Sequence, residues 1–405
     1  MATPQTPYEA VLHAARDVTR LDSALDAEML GTALLGSVYA LAEEDRSAAV
    51  RRFVGDFLAA TTRRRSAAAT TIRRIFAVLV PDASGAGTVK PGAQAPPWSG
   101  ELGRVRLTGS YAYGDVYGDQ TSYLATFAYG DTEVGGPEHA VVALVDHNIG
   151  ITKDVFVGGP AAGILDQVKQ MCAGDDLTWF RPEDPVRLRA EVSRHLAITD
   201  GLSELPDEGS LATDRALVGA RLALLPAPPL TAVPEPEPLS ADERGRLVRE
   251  FLASPEARRH RLDEVDGADL ASLHFCLSLV LDHASTLPEP DPMRWSPAVA
   301  GLFLLDWVHR RAVLDMDDAA MLPRVVRAWA TYALRRRGLP EQAVTQTDGA
   351  IEDMVPEFVR LYTTGERRSP ATAAVAQLMA DGVDPNDPDA LEAWIEANRQ
   401  RLGDD

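Results

Sequence analysis

Apolar residues recur at helical spacing over residues 7–80. Tyr8, Val11, Leu12, Ala15 and Val18 fall three and four apart, and Leu30, Leu34, Val38 and Leu41 repeat the pattern. That spacing lines up one apolar face per segment and predicts helices. Val50–Leu58 and Ala67–Leu79 continue in Ala and Arg, which lose little on entering a helix. The pattern stops in PDASGAGTVKPGAQAPPWSG, Pro81–Gly100, where Gly and Pro break helix and strand alike. From Glu101 the composition changes to Tyr, Thr, Val and Phe, with turn signals at Tyr117-Gly118-Asp119, Tyr129-Gly130-Asp131 and Asn148-Ile149-Gly150. Antiparallel strands are predicted near Val105–Tyr113, Thr121–Tyr129, His139–Asp146 and Ile151–Val157. Ile164, Leu165, Val168 and Met171 then give Ala161–Met171 the spacing of a helix covering one face of the sheet.

Residues 175–225 read as helical, Pro185 opening a segment that ends near Ile198 and Leu211–Leu225 forming another. In PAPPLTAVPEPEP, Pro226–Pro238, six of 13 residues are proline, which excludes regular structure and predicts an extended spacer. The remainder reads as helical. Ser240-Ala-Asp-Glu243 has the form of a capping box, and Ser296-Pro297 opens the apolar run Ala298–Val308, interrupted only by Asp306 and predicted to be central and buried. Met321–Arg337 is amphipathic, with Leu322, Val325, Trp329, Tyr332 and Ala333 on one stripe, and it ends on three arginines and Gly338. Asp389–Leu402 closes the chain. The expected fold is therefore mainly α with a small α+β domain. Its pieces are an N-terminal helical segment (1–82), a Gly/Pro linker (83–100), an antiparallel β-meander with a covering helix (101–174), a helical segment (175–225), a Pro-rich linker (226–239) and a C-terminal helical domain (240–405).

Charge narrows the partners. The net charge is −20, and residues 1–100 carry 11 basic and 10 acidic side chains, so the acidity lies wholly in the rest of the chain. A field of that sign repels nucleic-acid backbones and anionic lipid, and neither is expected as a partner. The Arg-rich run Thr61–Arg74 then reads as a solvated helix face. Two cysteines, Cys172 and Cys276, are too few and too distant for a disulfide framework, which fits a reducing cytoplasm. The N-terminus lacks the basic and apolar regions of a secretory signal, and Ala298–Leu305, the longest strongly apolar run, is short of a membrane span.

Candidate chemistry gathers on the meander. ALVDHNIGITKDVFVGG, Ala143–Gly159, reads as a strand buried on both faces, a tight Asn/Gly turn and its returning partner. With Asp146 opposite Ile151, Asp154 lies roughly 10 Å from Asp146 at ~3.3 Å per residue, too far to share a proton or an ion. Any chemistry there needs a further residue, and GSYAYGDVYGDQTSY, Gly109–Tyr123, is the place to seek it. An enzyme would draw on Asp146, His147, Asp154, Asp115 and Asp119, and a ligand would meet Tyr113, Tyr117 and Gln120. His139 and His147 stand at opposite ends of one strand and cannot reach one ion. No His-x-His, His-Glu-x-x-His, phosphate loop or nucleophile elbow occurs, so no metal and no cofactor are expected. Asp384-Pro-Asn-Asp-Pro-Asp389 lacks the Gly and Glu of a calcium loop and reads as turn and helix cap.

The segments YGDVYGDQTSYLATFAYGD and GGPEHAVVALVDHNIGITKDVFV, with DPMRWSPAVAGLFLLDW, LPRVVRAWATYALRRRGLP and DGVDPNDPDALEAWI, resemble a group of actinobacterial proteins of unknown function. The resemblance implies no activity and carries over no catalytic residue. With every strong catalytic motif absent, the sequence reads as a cytoplasmic, non-enzymatic interaction or scaffold protein with a protein partner. The alternative is an enzyme or small-molecule-binding protein with its site on the meander, around the Tyr/Asp loop and the Asp-His-Asn turn.

Overall fold

The computed structural model describes residues 6–90, 94–206, 209–229, 238–383 and 387–402. The protein is mainly α with one small antiparallel sheet. Its described residues group into two units, one drawn from 1–115 and 120–233, the other from 116–119 and 234–405.

In the first unit α1 (Pro7–Ala14), α2 (Ala24–Leu41), α3 (Arg46–Thr61) and α4 (Ala67–Leu79) start where side-chain oxygens satisfy free amides: Thr6, Ser23, Asp45 and Ser66 each accept from a first-turn N–H. The strands follow as β1 (Val105–Asp115), β2 (Gln120–Tyr129), β3 (His139–Asp146) and β4 (Ile151–Gly158), with the short α5 (Thr132–Gly135) between β2 and β3. Then come α6 (Ala161–Ala173), β5 (Thr178–Pro182), α7 (Pro185–Asp200) and α8 (Leu211–Leu222). The sheet order is β4-β3-β2-β1-β5, and every pair is antiparallel. Strand alternation sends Tyr123, Ala125, Phe127, Val141, Ala143, Val145 and Val155 into one core with α2, α3, α4, α7 and α8. The opposite face, with Leu124, Ala140, Val142, Tyr111, Tyr113 and Phe156, lies under Ala161, Ile164 and Leu165 of α6. β3 is thus buried on both sides, as its unbroken apolar run predicts.

Two features differ from the sequence expectation. β5 falls in a stretch read as helical; it pairs Tyr113 with Phe180 on the free edge of β1. In the stretch 83–100, expected to be a linker and described except for residues 91–93, Ala83, Ala86 and Trp98 join the first unit's core, and the Trp98 indole donates to the Leu21 carbonyl at 2.7 Å. The helices before it, the sheet and α7–α8 therefore share one interior. In the expected spacer at 226–239, residues 230–237 lie outside the described residues. Helix α2 is long and apolar enough by length and composition to cross a bilayer, and half of it is buried within the unit. Gly36 lets it approach α8: a Cβ there would stand 2.7 Å from the Ala212 carbonyl oxygen.

The second unit is helical: α9 (Ala241–Leu252), α10 (Pro255–Arg259), α11 (Gly267–Thr286), α12 (Pro297–Leu302), α13 (Val308–Arg311), α14 (Met316–Arg336), α15 (Glu341–Thr364), α16 (Pro370–Ala380) and α17 (Pro388–Leu402). The Ser240/Glu243 capping box forms as the sequence predicts. Phe251, Trp295, Phe303, Trp329 and Phe358 centre its core. The run Ala298–Val308 is interrupted by a π-helical turn over Phe303–Trp307. Val299, Ala300, Phe303, Leu304 and Val308 are buried, while Asp306 reaches the surface and pairs with Arg310 at 2.8 Å. In the expected cap before α17, residues 384–386 lie outside the described residues, and Asp387 accepts from the Asp389 and Ala390 amides.

Candidate functional site

The antiparallel register sets Gln120 opposite Asp146 at one end of the sheet. The Gln120 carboxamide donates to Asp146 Oδ2 at 3.0 Å, and the Gln120 amide donates to Asp115 Oδ2 at 2.7 Å. Asp146 Oδ1 accepts from the Asn148 amide at 3.0 Å, closing the tight turn, and His147 Nε2 lies 3.1 Å from Thr121 Oγ1. Asp115, Gln120, Asp146 and His147 do converge, and the bonds of both carboxylates hold turns together.

The remaining predicted residues go elsewhere. Asp154 stands opposite Leu144 and accepts from the Ser210 amide at 2.8 Å, which anchors the start of α8. Tyr113 belongs to the face under α6. Tyr117 and Asp119 belong to the second unit. There the Tyr117 hydroxyl donates to Gln346 Oε1 at 2.7 Å, and Asp119 Oδ1 accepts from the Ser296 hydroxyl at 2.9 Å. Of the three residues read as meeting a ligand, Tyr113 and Gln120 thus belong to the first unit and Tyr117 to the second.

His139 and His147 are separated, as strand length requires. His139 is fully buried in a network built by β2, β3, α2 and α8. Arg221 Nε donates to His139 Nε2 at 3.1 Å, and Arg221 Nη2 pairs with the Glu28 carboxylate and the Tyr129 hydroxyl. Tyr129 donates to Glu28 Oε2 at 2.8 Å, and the Gly103 amide donates to Glu28 Oε1 at 2.7 Å. Burial, helped by the Glu28 charge, pushes the Tyr129 phenol far above its ordinary pKa. His147 instead meets His195 of α7, ring centroids 5.6 Å apart and planes at 89°.

An opening in this unit lies among α2, α3, α4, α7 and α8, in two adjoining lobes. A polar lobe of about 510 Å³ is lined by Asp45, Ser47, Arg51, Arg189, Ser193, Asp200 and Arg215. A lobe of about 330 Å³ is lined by Leu35, Tyr39, Val50, Leu79, Val80 and Pro81, with Ala212, Ala216 and Ala220. Both share Ser47, Arg51, Arg215, Gly219 and Ala223. The small side chains of α8 leave this space.

Asp200 fixes the junction. Arg215 grips it with two donors, at 3.0 and 2.6 Å, and the Tyr39 hydroxyl donates to it at 2.7 Å. Burial first and Asp200 second raise the Tyr39 pKa, so the phenol keeps its proton. Burial disfavours the Arg215 charge, but its bonds to Asp200 outweigh that and its pKa rises. Arg51 donates to Ser47 Oγ at 3.1 Å and stands 3.6 Å from Asp82; Arg189 donates to the Ala223 and Leu225 carbonyls. Asp45, the N-cap of α3, is held at φ +30°, a left-handed conformation rare outside glycine.

No family model, curated protein or solved structure matches this chain. The site therefore rests on its own geometry. Nothing in the sequence spacing assembles the cleft, because its arginines come from α3, α7 and α8, and Arg51 and Arg215 are 164 positions apart. The helical period of α7 was the one available signal: Arg189, Ser193 and Ala197 fall on one face of the predicted helix, which was expected to end near Ile198 and in the structure runs on to Asp200.

Proposed function

We propose that the protein is a cytoplasmic, non-catalytic binding protein that takes a small amphipathic anion, an organic carboxylate with an apolar tail, in this two-lobed cleft. The observation that carries the reading is the join of a polar lobe, where Arg51, Arg189 and Arg215 stand with Asp45 and Asp200, to a lobe of mostly apolar helix side chains that also takes in Asp82. Arg215 pairs with Asp200 and Arg51 stands 3.6 Å from Asp82, while Arg189 bonds the Ala223 and Leu225 carbonyls, so its guanidinium is the cation a ligand carboxylate would meet. Lobes of 510 and 330 Å³ are in the size range of small-molecule sites. The left-handed Asp45 beside the polar lobe is the kind of backbone strain that concentrates at ligand sites. This differs from the scaffold reading of the sequence, and it moves the small-molecule alternative from the meander to the helices.

Calorimetry with decanoate, decanol and acetate tests it. Decanoate should bind one site, with decanol and acetate each at least ~10-fold weaker, about 1.4 kcal/mol. Gly219→Leu, which fills the shared waist, should abolish binding, and Arg51→Ala should weaken decanoate and leave decanol unchanged. Equal binding of decanoate by wild type and Gly219→Leu would overturn the proposal, as would no decanoate binding at all.

A further inference from the structure

We propose that His147 and His195 form a two-imidazole chelate for a borderline divalent transition-metal ion, of which Zn²⁺ is the natural test. The inference is independent of the cleft. His195 is fully buried on the sheet-facing side of α7, and its Nδ1 lies 2.8 Å from the Glu191 carbonyl oxygen. A carbonyl accepts only, so Nδ1 carries the proton and Nε2 presents a lone pair. This is the arrangement found in metal-ligating histidines, whose second nitrogen is held by a carbonyl or carboxylate.

His147 follows β3 directly, on a turn closed by the Asp146–Asn148 bond, and contact with Thr121 Oγ1 sets its ring. The two rings meet edge to face, and a ring nitrogen of each lies within 4.8 Å of the other. Two Zn–N bonds of about 2.0–2.1 Å at a tetrahedral angle ask for roughly 3.4 Å between the nitrogens. That spacing falls within the 4.8 Å limit, and the buried His195 is fixed by its bond to the Glu191 carbonyl. Imidazole pairs suit Zn²⁺, Ni²⁺ and Cu²⁺ over Mg²⁺ or Ca²⁺. Water can fill further positions.

The full-length protein, stripped with a chelator and dialysed, is titrated with Zn²⁺ by calorimetry, and Co²⁺ is added in parallel to read the ligand field. One Zn²⁺ site is expected, with affinity at least ~10-fold weaker in His147→Gln and in His195→Gln. It should be unchanged in His13→Gln and His274→Gln, which alter exposed histidines. Because His195 is buried, metal-free thermal unfolding checks that its variant folds; if it does not, His147→Gln decides alone. A wild type with no Zn²⁺ site, or a His147→Gln variant with wild-type stoichiometry and affinity, overturns the proposal.

Discussion

Lowering the pH from 7 to 4 probes the buried network around Arg221. His139 accepts from Arg221 Nε, so its Nε2 must be bare; a proton there would set N–H against N–H and add a charge beside the guanidinium. Burial, and after it Arg221, lower the imidazole pKa from 6.5 to about 4. The unfolded imidazole takes up its proton near 6.5, the folded one only near 4. Between those values the unfolded chain binds more protons, so this contribution is complete above the window and is lost as pH falls through it. The gap corresponds to about 3 kcal/mol. Urea denaturation followed by tryptophan fluorescence measures it, with Trp98 and Trp179 reporting on the first unit and each unit's transition fitted separately. His139→Gln is the comparison, because its carboxamide oxygen can accept from Arg221 and cannot titrate. Carboxylate titrations common to both chains cancel. Wild type should lose ~3 kcal/mol more than His139→Gln between pH 7 and 4. Parallel losses in the two chains would refute the assignment.

Other perturbations follow from the same geometry. Arg221→Met strands the buried Glu28 carboxylate and should cost ~3–5 kcal/mol in urea denaturation, while adding Glu28→Met recovers most of it. Tyr39→Phe removes a hydrogen bond to the Asp200 side chain that Arg215 pairs with and should cost ~1.5–3 kcal/mol by the same assay. Gly36→Ala puts a methyl 2.7 Å from the Ala212 oxygen and 2.9 Å from the Thr213 Cα; forcing α2 from α8 should cost ~1–3 kcal/mol, read as a lower melting temperature.

The strands were legible because turn chemistry brackets them. Tyr117-Gly118-Asp119 and Asn148-Ile149-Gly150 each pinned a hairpin, and the predicted Asp146–Ile151 pairing is the one that forms. β5 escaped because five residues ending in proline carry too little pattern to outweigh the helix expected after them. The Gly/Pro stretch 83–100 misled in another way: composition shows where regular structure stops and is silent on whether Trp98 turns inward. Capping boxes at Thr6 and Ser240 are local and readable. The Tyr39–Asp200–Arg215 knot and the His147–His195 pair join residues far apart in sequence, which only tertiary packing brings together. The convergence of Asp115, Gln120 and Asp146 was partly visible, since strand register follows from the turn.

Helix α7 carries a consequence for how such a chain can diverge. Leu188, Val192, His195 and Thr199 point toward the sheet, while Arg189, Ser193, Ala197 and Asp200 line the cleft. A single residue inserted after Glu191 would turn everything downstream by about 100°. His195 would leave His147 and Asp200 would leave Tyr39 and Arg215 in one event. The length of this helix is therefore a shared key, and a descendant that keeps either constellation must keep its count of residues while its loops are free to lengthen.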